Sequence, residues 1–515
     1  MDSLVPVDQS TRIGELLAPY LSGRPIGSWV NGEILAGMGA PLELVDPAAG
    51  EPFAAFQDAD RSVVDDAMHA AAAAQRQWAA LTESARGRVM FEIARHIRQN
   101  AEAIAELECR SAGRPIRDTR GEAGRVAEMF EYYGGWCDKL HGEVIPVPTS
   151  HLNYTRREPC GVVAQITPWN APLFTAGWQI APAIAAGNAV VIKPSELTPL
   201  STLVLGVLCQ QAGAPRGLVN VIAGQGATSG QAMVAHAKTA LVVFVGSAQA
   251  GAAIAATAAR NLVPCILELG GKSANIVFAD ADLDRALLGA QSAIFAAAGQ
   301  SCVAGSRLLV HRSVHQQFVA AYARAARNIP VGPPHLDATQ IGPINNARQW
   351  SKIDQMVQRG IGDGAALVAG GSKPAELAHT GGFYFAPTIL DGVGPAMQIA
   401  TEEVFGPVVA VTPFDSEEEA VALANGTPYG LAGAVWTNDV ARAHRVAAAV
   451  RAGTFWINSY KSISVMSPFG GFGRSGYGRS SGREALMAYT QTKSVWVETA
   501  RDPAISFGYS SKGPA

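Results

Sequence analysis

Apolar positions near the start of the chain recur at helical spacing. Val89, Ile93 and Ile97 stand four residues apart beside Met90 and Ala94, which gives that stretch one apolar face. The pattern predicts two long helices, 62–81 and 84–108, with Gly113-Arg114-Pro115 as the interruption that follows. Over 144–157 β-branched residues, prolines and polar residues alternate over a short span, which predicts an extended hairpin projecting from the body. Residues 1–20 read as a loosely held leader.

Beyond residue 160 the pattern becomes regular. Short apolar runs at 161–166, 189–192, 218–222, 241–245 and 265–269 are separated by helix-length segments such as 200–211 and 248–260. Near-continuous apolar strands alternating with helices predict a parallel sheet covered on both faces, and so an α/β fold. A second α/β unit begins near Lys272 with a strand at 274–278 and a helix at 283–298, and continues to about Gly471. A glycine-rich loop over 470–482 follows, and then a β-rich stretch at 490–498 suited to pairing with the hairpin or with another subunit.

Composition narrows the class. The chain has 515 residues, 48% of them apolar and 16% charged, which suits a large multidomain enzyme with well-buried cores. A formal net charge of −3 supplies no footprint for nucleic acid. The most apolar region, 232–259, is broken by His236, Lys238 and several glycines, and the first ten residues carry acids and no apolar segment. Neither a membrane span nor a secretory signal is expected. The six cysteines contain no Cys-x-x-Cys pair, so disulfides are not expected and a reducing, cytoplasmic setting is.

Parallel sheets bind ligands at the carboxyl ends of their strands. The candidate polar residues fall there: Asn170, Lys193, Glu196, Gly246-Ser247 and Glu268. Cys302 follows a helix and lies among small residues, in Gly-Gln-Ser-Cys (299–302). A thiol can attack a carbonyl carbon and hold the product as a thioester, which water activated by a carboxylate can then hydrolyse. The alternative for Cys302 is a buried structural cysteine, as assumed for Cys109, Cys209 and Cys265. Glu268 ends an apolar strand, where a carboxylate needs a task or a partner; the alternative is an ion pair with Lys272. Asn170 could donate to a developing oxyanion together with the Cys302 backbone N–H, or it could cap a helix.

Lys193 and Glu196 could grip ribose hydroxyls, with Glu196 repelling a 2′-phosphate and so favouring NAD over NADP; a solvated turn is the alternative. Gly246-Ser247 opens a helix that can hold a pyrophosphate, and Gly226 and Gly230 belong to a looser glycine run. Neither matches the Gly-x-Gly-x-x-Gly fingerprint. His311 and His315 lack a third ligand, so no metal site is expected, and Ser313 reads as the cap of the next helix.

Six strings occur in the order found in the aldehyde dehydrogenase superfamily, which the chain resembles from about residue 25 to 500. They are Thr-Pro-Trp-Asn (167–170), Lys-Pro-Ser-Glu (193–196), Leu-Glu-Leu-Gly-Gly-Lys (267–272), Gly-Gln-Ser-Cys (299–302), Glu-Glu-Val-Phe-Gly-Pro (402–407) and Pro-Phe-Gly-Gly (468–471). The resemblance implies Cys302 as nucleophile, Glu268 as general base and Asn170 as oxyanion donor. It implies a dinucleotide held by Ile166, Trp169, Lys193, Glu196, Gly226, Gly230, Gly246, Ser247, Leu269, Glu403 and Phe405. It implies a substrate tunnel lined by Ala171, Trp178, Ser301, Val303, Ile463 and Phe469. The implied product is a carboxylic acid, with hydrolysis rather than transfer to CoA as the second half-reaction.

The implied fold joins a Rossmann-type parallel-sheet cofactor domain (21–143 and 160–269) to an α/β catalytic domain (270–482). A β-rich arm (144–159 and 483–505) would build a homo-oligomer, either dimer or tetramer, and 506–515 would form a tail. Three departures from the family pattern stand out: Val245 where Thr often precedes Gly-Ser, Ser480 where a carboxylate is frequent, and Ala171 with Ile463 where aromatic residues are common. The last pair leads us to expect a wide pocket and a bulky aromatic or branched aldehyde. A CoA-acylating enzyme, a thiol esterase and a catalytically silent binding protein on the same scaffold are the rival readings.

Overall fold

The computed structural model describes residues 8–501. The expected parallel sheet forms an eight-stranded layer. Its order is Gly476–Tyr477, Cys265–Leu269, Thr239–Gly246, Val162–Ile166, Ala189–Lys193, Val219–Val221, Ser28–Val30 and Glu33–Leu35. The five central strands run parallel, and the flanking pieces pair antiparallel. Strand order reverses between Val162–Ile166 and Thr239–Gly246, so a crevice opens at their carboxyl ends. Every residue of Val162–Ile166 and Ala189–Lys193 is buried, because helices cover both faces.

The second unit is a seven-stranded sheet, parallel except for one edge pair, ordered Ala366–Ala369, Thr388–Asp391, Val408–Phe414, Arg307–His311, Ala274–Val277, Ala432–Trp436 and Thr454–Ile457. Thr490–Glu498 pairs with His151–Pro159 over nine positions, and Val144–Ile145 closes that three-stranded ribbon. The strand at Gly476–Tyr477 lies in the glycine-rich loop yet pairs with Leu267 and Glu268 of the first sheet, so the two units interlock.

Four expectations need correction. The stretch 84–108 is two helices, Glu83–Gln99 and Ala101–Ala112, broken at Asn100. Asn100 returns its side-chain amide to the His96 carbonyl (2.8 Å) and accepts a hydrogen bond from Tyr20 (2.8 Å). Tyr20 belongs to the supposed loose leader, most of which is a docked helix, Gln9–Leu21. Ile13, Leu16 and Leu17 are buried there, each worth about 1.5–3 kcal/mol, and Arg12 makes a two-pronged ion pair with Glu106 (2.8 and 2.6 Å). Residues 1–7 lie outside the described part.

The segment after residue 482 does not begin as arm. Gly482–Ala488 is helical, and Leu486 and Tyr489 join the core of the first unit. The tail at 506–515 lies outside the described residues. Ser313 is likewise no cap: His311 is the N-cap of helix Arg312–Arg327 and accepts from the Ser313 backbone N–H.

Candidate active site

One cavity of about 320 Å³ lies between the two units, and Asn170, Glu268 and Cys302 all line it. Glu268 reaches it from the strand Cys265–Leu269, which sits between Val245 and Gly476. The side chain is 5% exposed, and neither carboxylate oxygen has a hydrogen-bond partner among the described residues. Burial pushes its pKa up to about 8; the nearby Ser480 hydroxyl and Arg479 charge pull the other way. No ion pair with Lys272 forms. The Lys272 ammonium is itself buried without a partner among the described residues, and burial beside Arg307 lowers its pKa to about 7.

Cys302 is half-buried and shares a small apolar cluster with Val303, Tyr460 and Phe469. Its loop is reached through three consecutive left-handed residues, Ala297 (φ 56°), Ala298 (φ 53°) and Gly299 (φ 70°). That conformation costs a non-glycine residue about 1–2 kcal/mol, so the surroundings must hold it. At Gly299 any β-carbon would strike the Gly406 carbonyl. Gln300 fixes the next step: its side-chain oxygen accepts from the Asn345 N–H (2.9 Å), and its carbonyl accepts from Asn170 Nδ2 (2.8 Å). Burial, then the charges of Glu403 and Glu268, push the thiol pKa up to about 12. Cys109, Cys137 and Cys209, by contrast, are buried in the cores.

Asn170 does not cap a helix. The N-cap of helix Pro172–Ala185 is Ala171, which makes no side-chain capping bond. One amide hydrogen of Asn170 is used on Gln300, and the other remains for a ligand in the cavity.

The remaining candidates fall into two groups. Trp169, Gly246, Ser247, Leu269, Glu403 and Phe405 line the same cavity, as do Ala171, Trp178, Ser301, Val303, Ile463 and Phe469. Trp169 and Phe405 meet edge to face (5.3 Å), and Phe405 adopts a left-handed backbone (φ 58°). Lys193, Glu196, Gly226, Gly230 and Ile166 do not line it; they mark the carboxyl ends of neighbouring first-sheet strands and the turn after them. Lys193 is not in a solvated turn. It is buried, donates to the carbonyls of Pro194 (2.8 Å) and Gly224 (2.7 Å), and lies 3.4 Å from Glu196.

Sequence reasoning missed several lining residues. Phe174 stacks on Trp178 (5.1 Å) one helical turn away, so its spacing was a usable signal. Gln349 and Lys352 carry no such signal. From helix Ala347–Gly362 they donate to the carbonyls of Glu403, Val404 and Phe405, which pins that segment over the cavity.

A dinucleotide fits these residues. Helix Ala248–Ala259 begins at the cavity with Ser247 as its cap, which leaves backbone N–H groups for a phosphate. Glu403 accepts one bond, from the Gly271 N–H (3.1 Å), and its other oxygen accepts none among the described residues. A β-carbon at Gly270 would occupy the place of that carboxylate.

A thiol, a desolvated carboxylate and an amide donor thus converge beside a helix start at the switch point of the first sheet. The chain belongs to the aldehyde dehydrogenase family, whose model matches residues 35–495, and is an NAD(P)-dependent aldehyde dehydrogenase. It is 41% identical to betaine aldehyde dehydrogenase of Bacillus subtilis (strain 168) over 480 residues, covering 92% of this chain and 96% of that one. It is 40% identical to human (Homo sapiens) retinal dehydrogenase 2 over 479 residues, covering 91% and 90%. Betaine aldehyde dehydrogenase from Staphylococcus aureus, solved in complex with NAD+, superposes with a TM-score of 0.93 at 34% identity, over 97% of this chain and 99% of that one.

Proposed function

We propose that the chain oxidises an aldehyde to its carboxylic acid with reduction of NAD, through a covalent Cys302 intermediate that Glu268-activated water hydrolyses. One observation carries the reading: Cys302, Glu268 and Asn170 line a single cavity that also reaches Glu403 and Phe405. The Cys302 thiol gives up its proton to solvent, and the thiolate adds to the aldehyde carbon as the C=O π bond opens, giving a tetrahedral thiohemiacetal oxyanion. The free amide hydrogen of Asn170, with the Cys302 backbone N–H, stabilises the oxyanion; one such donor is typically worth about two to three orders of magnitude in rate. NAD, when bound, would supply the hydride acceptor needed to turn the hemiacetal into a thioester. Glu268, with two unbonded carboxylate oxygens, takes a proton from water, and hydroxide attack releases the acid and the thiolate.

Trp169, Gly246, Ser247, Leu269, Glu403 and Phe405 would hold the nicotinamide and phosphate end, and Lys193, Glu196, Ile166, Gly226 and Gly230 the adenosine end. Glu196 supports NAD over NADP, since its charge opposes a 2′-phosphate. The three-stranded ribbon exposes Val144, Leu152, Trp496 and Val497, which supports burial against a second copy of the chain as a dimer or tetramer. No helix among the described residues is long and apolar enough to cross a membrane. A cytoplasmic location is part of the proposal.

Cys302→Ala tests the reading. NADH formation and ester hydrolysis should both fall to background; substantial surviving oxidation refutes the assignment. Formation of an acyl-CoA when CoA is added would instead favour the acyl-transfer rival.

A further inference from the structure

We propose that Lys461 is a specificity-determining residue that binds a carboxylate carried by the aldehyde substrate, at the end of the molecule away from the formyl group. This rests on the aldehyde-oxidising reading above and adds a substrate class to it.

Lys461 follows the last strand of the second sheet, between Tyr460, which packs beside Cys302, and Ile463, which lines the cavity. Its backbone is left-handed (φ 61°), an expensive conformation for lysine that the flanking contacts maintain. Tyr460 donates to the Val303 carbonyl (3.1 Å), and Trp456 donates to the Ser462 carbonyl (2.9 Å). The residues on either side are thus fastened to the wall that carries the thiol, and the lysine between them is held near it.

The half-buried ammonium makes no ion pair and no hydrogen bond among the described residues. The ionisable groups near enough to act on it are Cys302 and Asp118, and Asp118 is paired with Arg117 (3.4 Å). Burial lowers its pKa to about 8, so it still carries its charge at neutral pH. A partly buried cation without a counter-ion has lost some of its hydration, and an incoming anion offsets that loss. Lys461 stands beside the lining and is not part of it, and the substrate-side lining residues Ala171, Phe174, Trp178, Val303, Ile463 and Phe469 carry no charge. Lys352, a cation in the lining, is engaged by the Glu403 carbonyl (2.8 Å). An apolar, aromatic channel with the Lys461 cation held beside its wall suits an aldehyde with a flat or aliphatic body and an anionic tail.

The test compares neutral and anionic isosteres: 4-formylbenzoate with 4-formylbenzamide, and 5-oxopentanoate with 5-oxopentanamide. The readout is the ratio of kcat/KM, acid over amide, in wild type, Lys461→Met, Lys461→Arg and Lys461→Asn. Asparagine tolerates the left-handed backbone and serves if the methionine variant misfolds. Wild type should prefer the acid about tenfold or more for at least one body length, as expected for one charge-assisted hydrogen bond. Methionine and asparagine should bring the ratio near unity, and arginine should retain the preference. No acid preference in wild type, a preference that survives Lys461→Met, or an equal loss on acid and amide would overturn the assignment; the last would mean a general effect on the thiol. Failure to oxidise any of the four aldehydes would count against the aldehyde reading instead.

Discussion

Glu108 caps a helix to which it does not belong. From the end of helix Ala101–Ala112 its Oε2 accepts the backbone N–H of Leu173 (3.1 Å), in the first turn of the helix that follows Asn170. Its other oxygen accepts from Arg114 (2.6 Å), which also clasps Glu122 with both of its terminal nitrogens. Burial and the facing Glu122 raise the Glu108 pKa, while Arg114 opposes the rise. Removing one partner from a buried charge cluster costs about 3–5 kcal/mol. Glu108→Ala should therefore lower the thermal midpoint clearly, whereas Glu108→Gln, which keeps an acceptor for Leu173, should lower it less. Equal midpoints for wild type and Glu108→Ala would contradict the capping role.

The hydrolytic step should depend on pH through Glu268. Only the ionised carboxylate accepts a proton, and burial raises its pKa to about 8, so the base is mostly protonated at pH 7 and ionises as pH rises. Steady-state turnover should climb with pH to a plateau above about 8. With Glu268→Gln the first burst of NADH should remain and turnover should stall. Rapid-mixing absorbance measures both; an unchanged steady-state rate would reject the role.

Ser480 links the substrate wall to that base. Its hydroxyl accepts from Trp178 Nε1 (2.9 Å) and helps to hold the Glu268 pKa down. Ser480→Ala should therefore move the turnover inflection to higher pH and leave Trp178 without a partner, at about 1–3 kcal/mol. A pH profile superimposable on wild type would show that the hydroxyl has no influence on Glu268.

Glu196 should govern the choice of dinucleotide. Its carboxylate stands 3.4 Å from Lys193 Nζ at a strand end, partly exposed to an incoming ligand. Glu196→Gln should raise the NADP-to-NAD ratio of kcat/KM by about tenfold, since a like-charge repulsion disappears. The check is a pair of saturation curves at fixed ionic strength; an unmoved ratio would place the discrimination elsewhere.

The five central strands of the first sheet were legible because each is a short apolar run bounded by turn residues. Cys265–Leu269 and Thr490–Glu498 fall where the pattern puts them, as does helix Leu200–Gln211. The break at Asn100 was not legible, because the residues around it keep a helical pattern and Tyr20 meets Asn100 only after folding. The docked helix Gln9–Leu21 was missed for a related reason: its apolar face is short and has meaning only against the rest of the core. In the site, Phe174 was within reach of helical spacing, whereas Gln349 and Lys352 act by bonding to carbonyls far along the chain.

By itself the sequence determined which chemical groups are present and at which strand ends they lie, because hydrophobic period and turn residues are local properties. Tertiary structure alone decided which of them share a cavity. Among the described residues it left Glu268 without a partner instead of pairing it with Lys272, turned Asn170 from a possible cap into a donor held by Gln300, and left Lys461 without a counter-ion. Desolvation and partnering depend on which distant segments the fold brings together, and a residue's neighbours in sequence do not specify that.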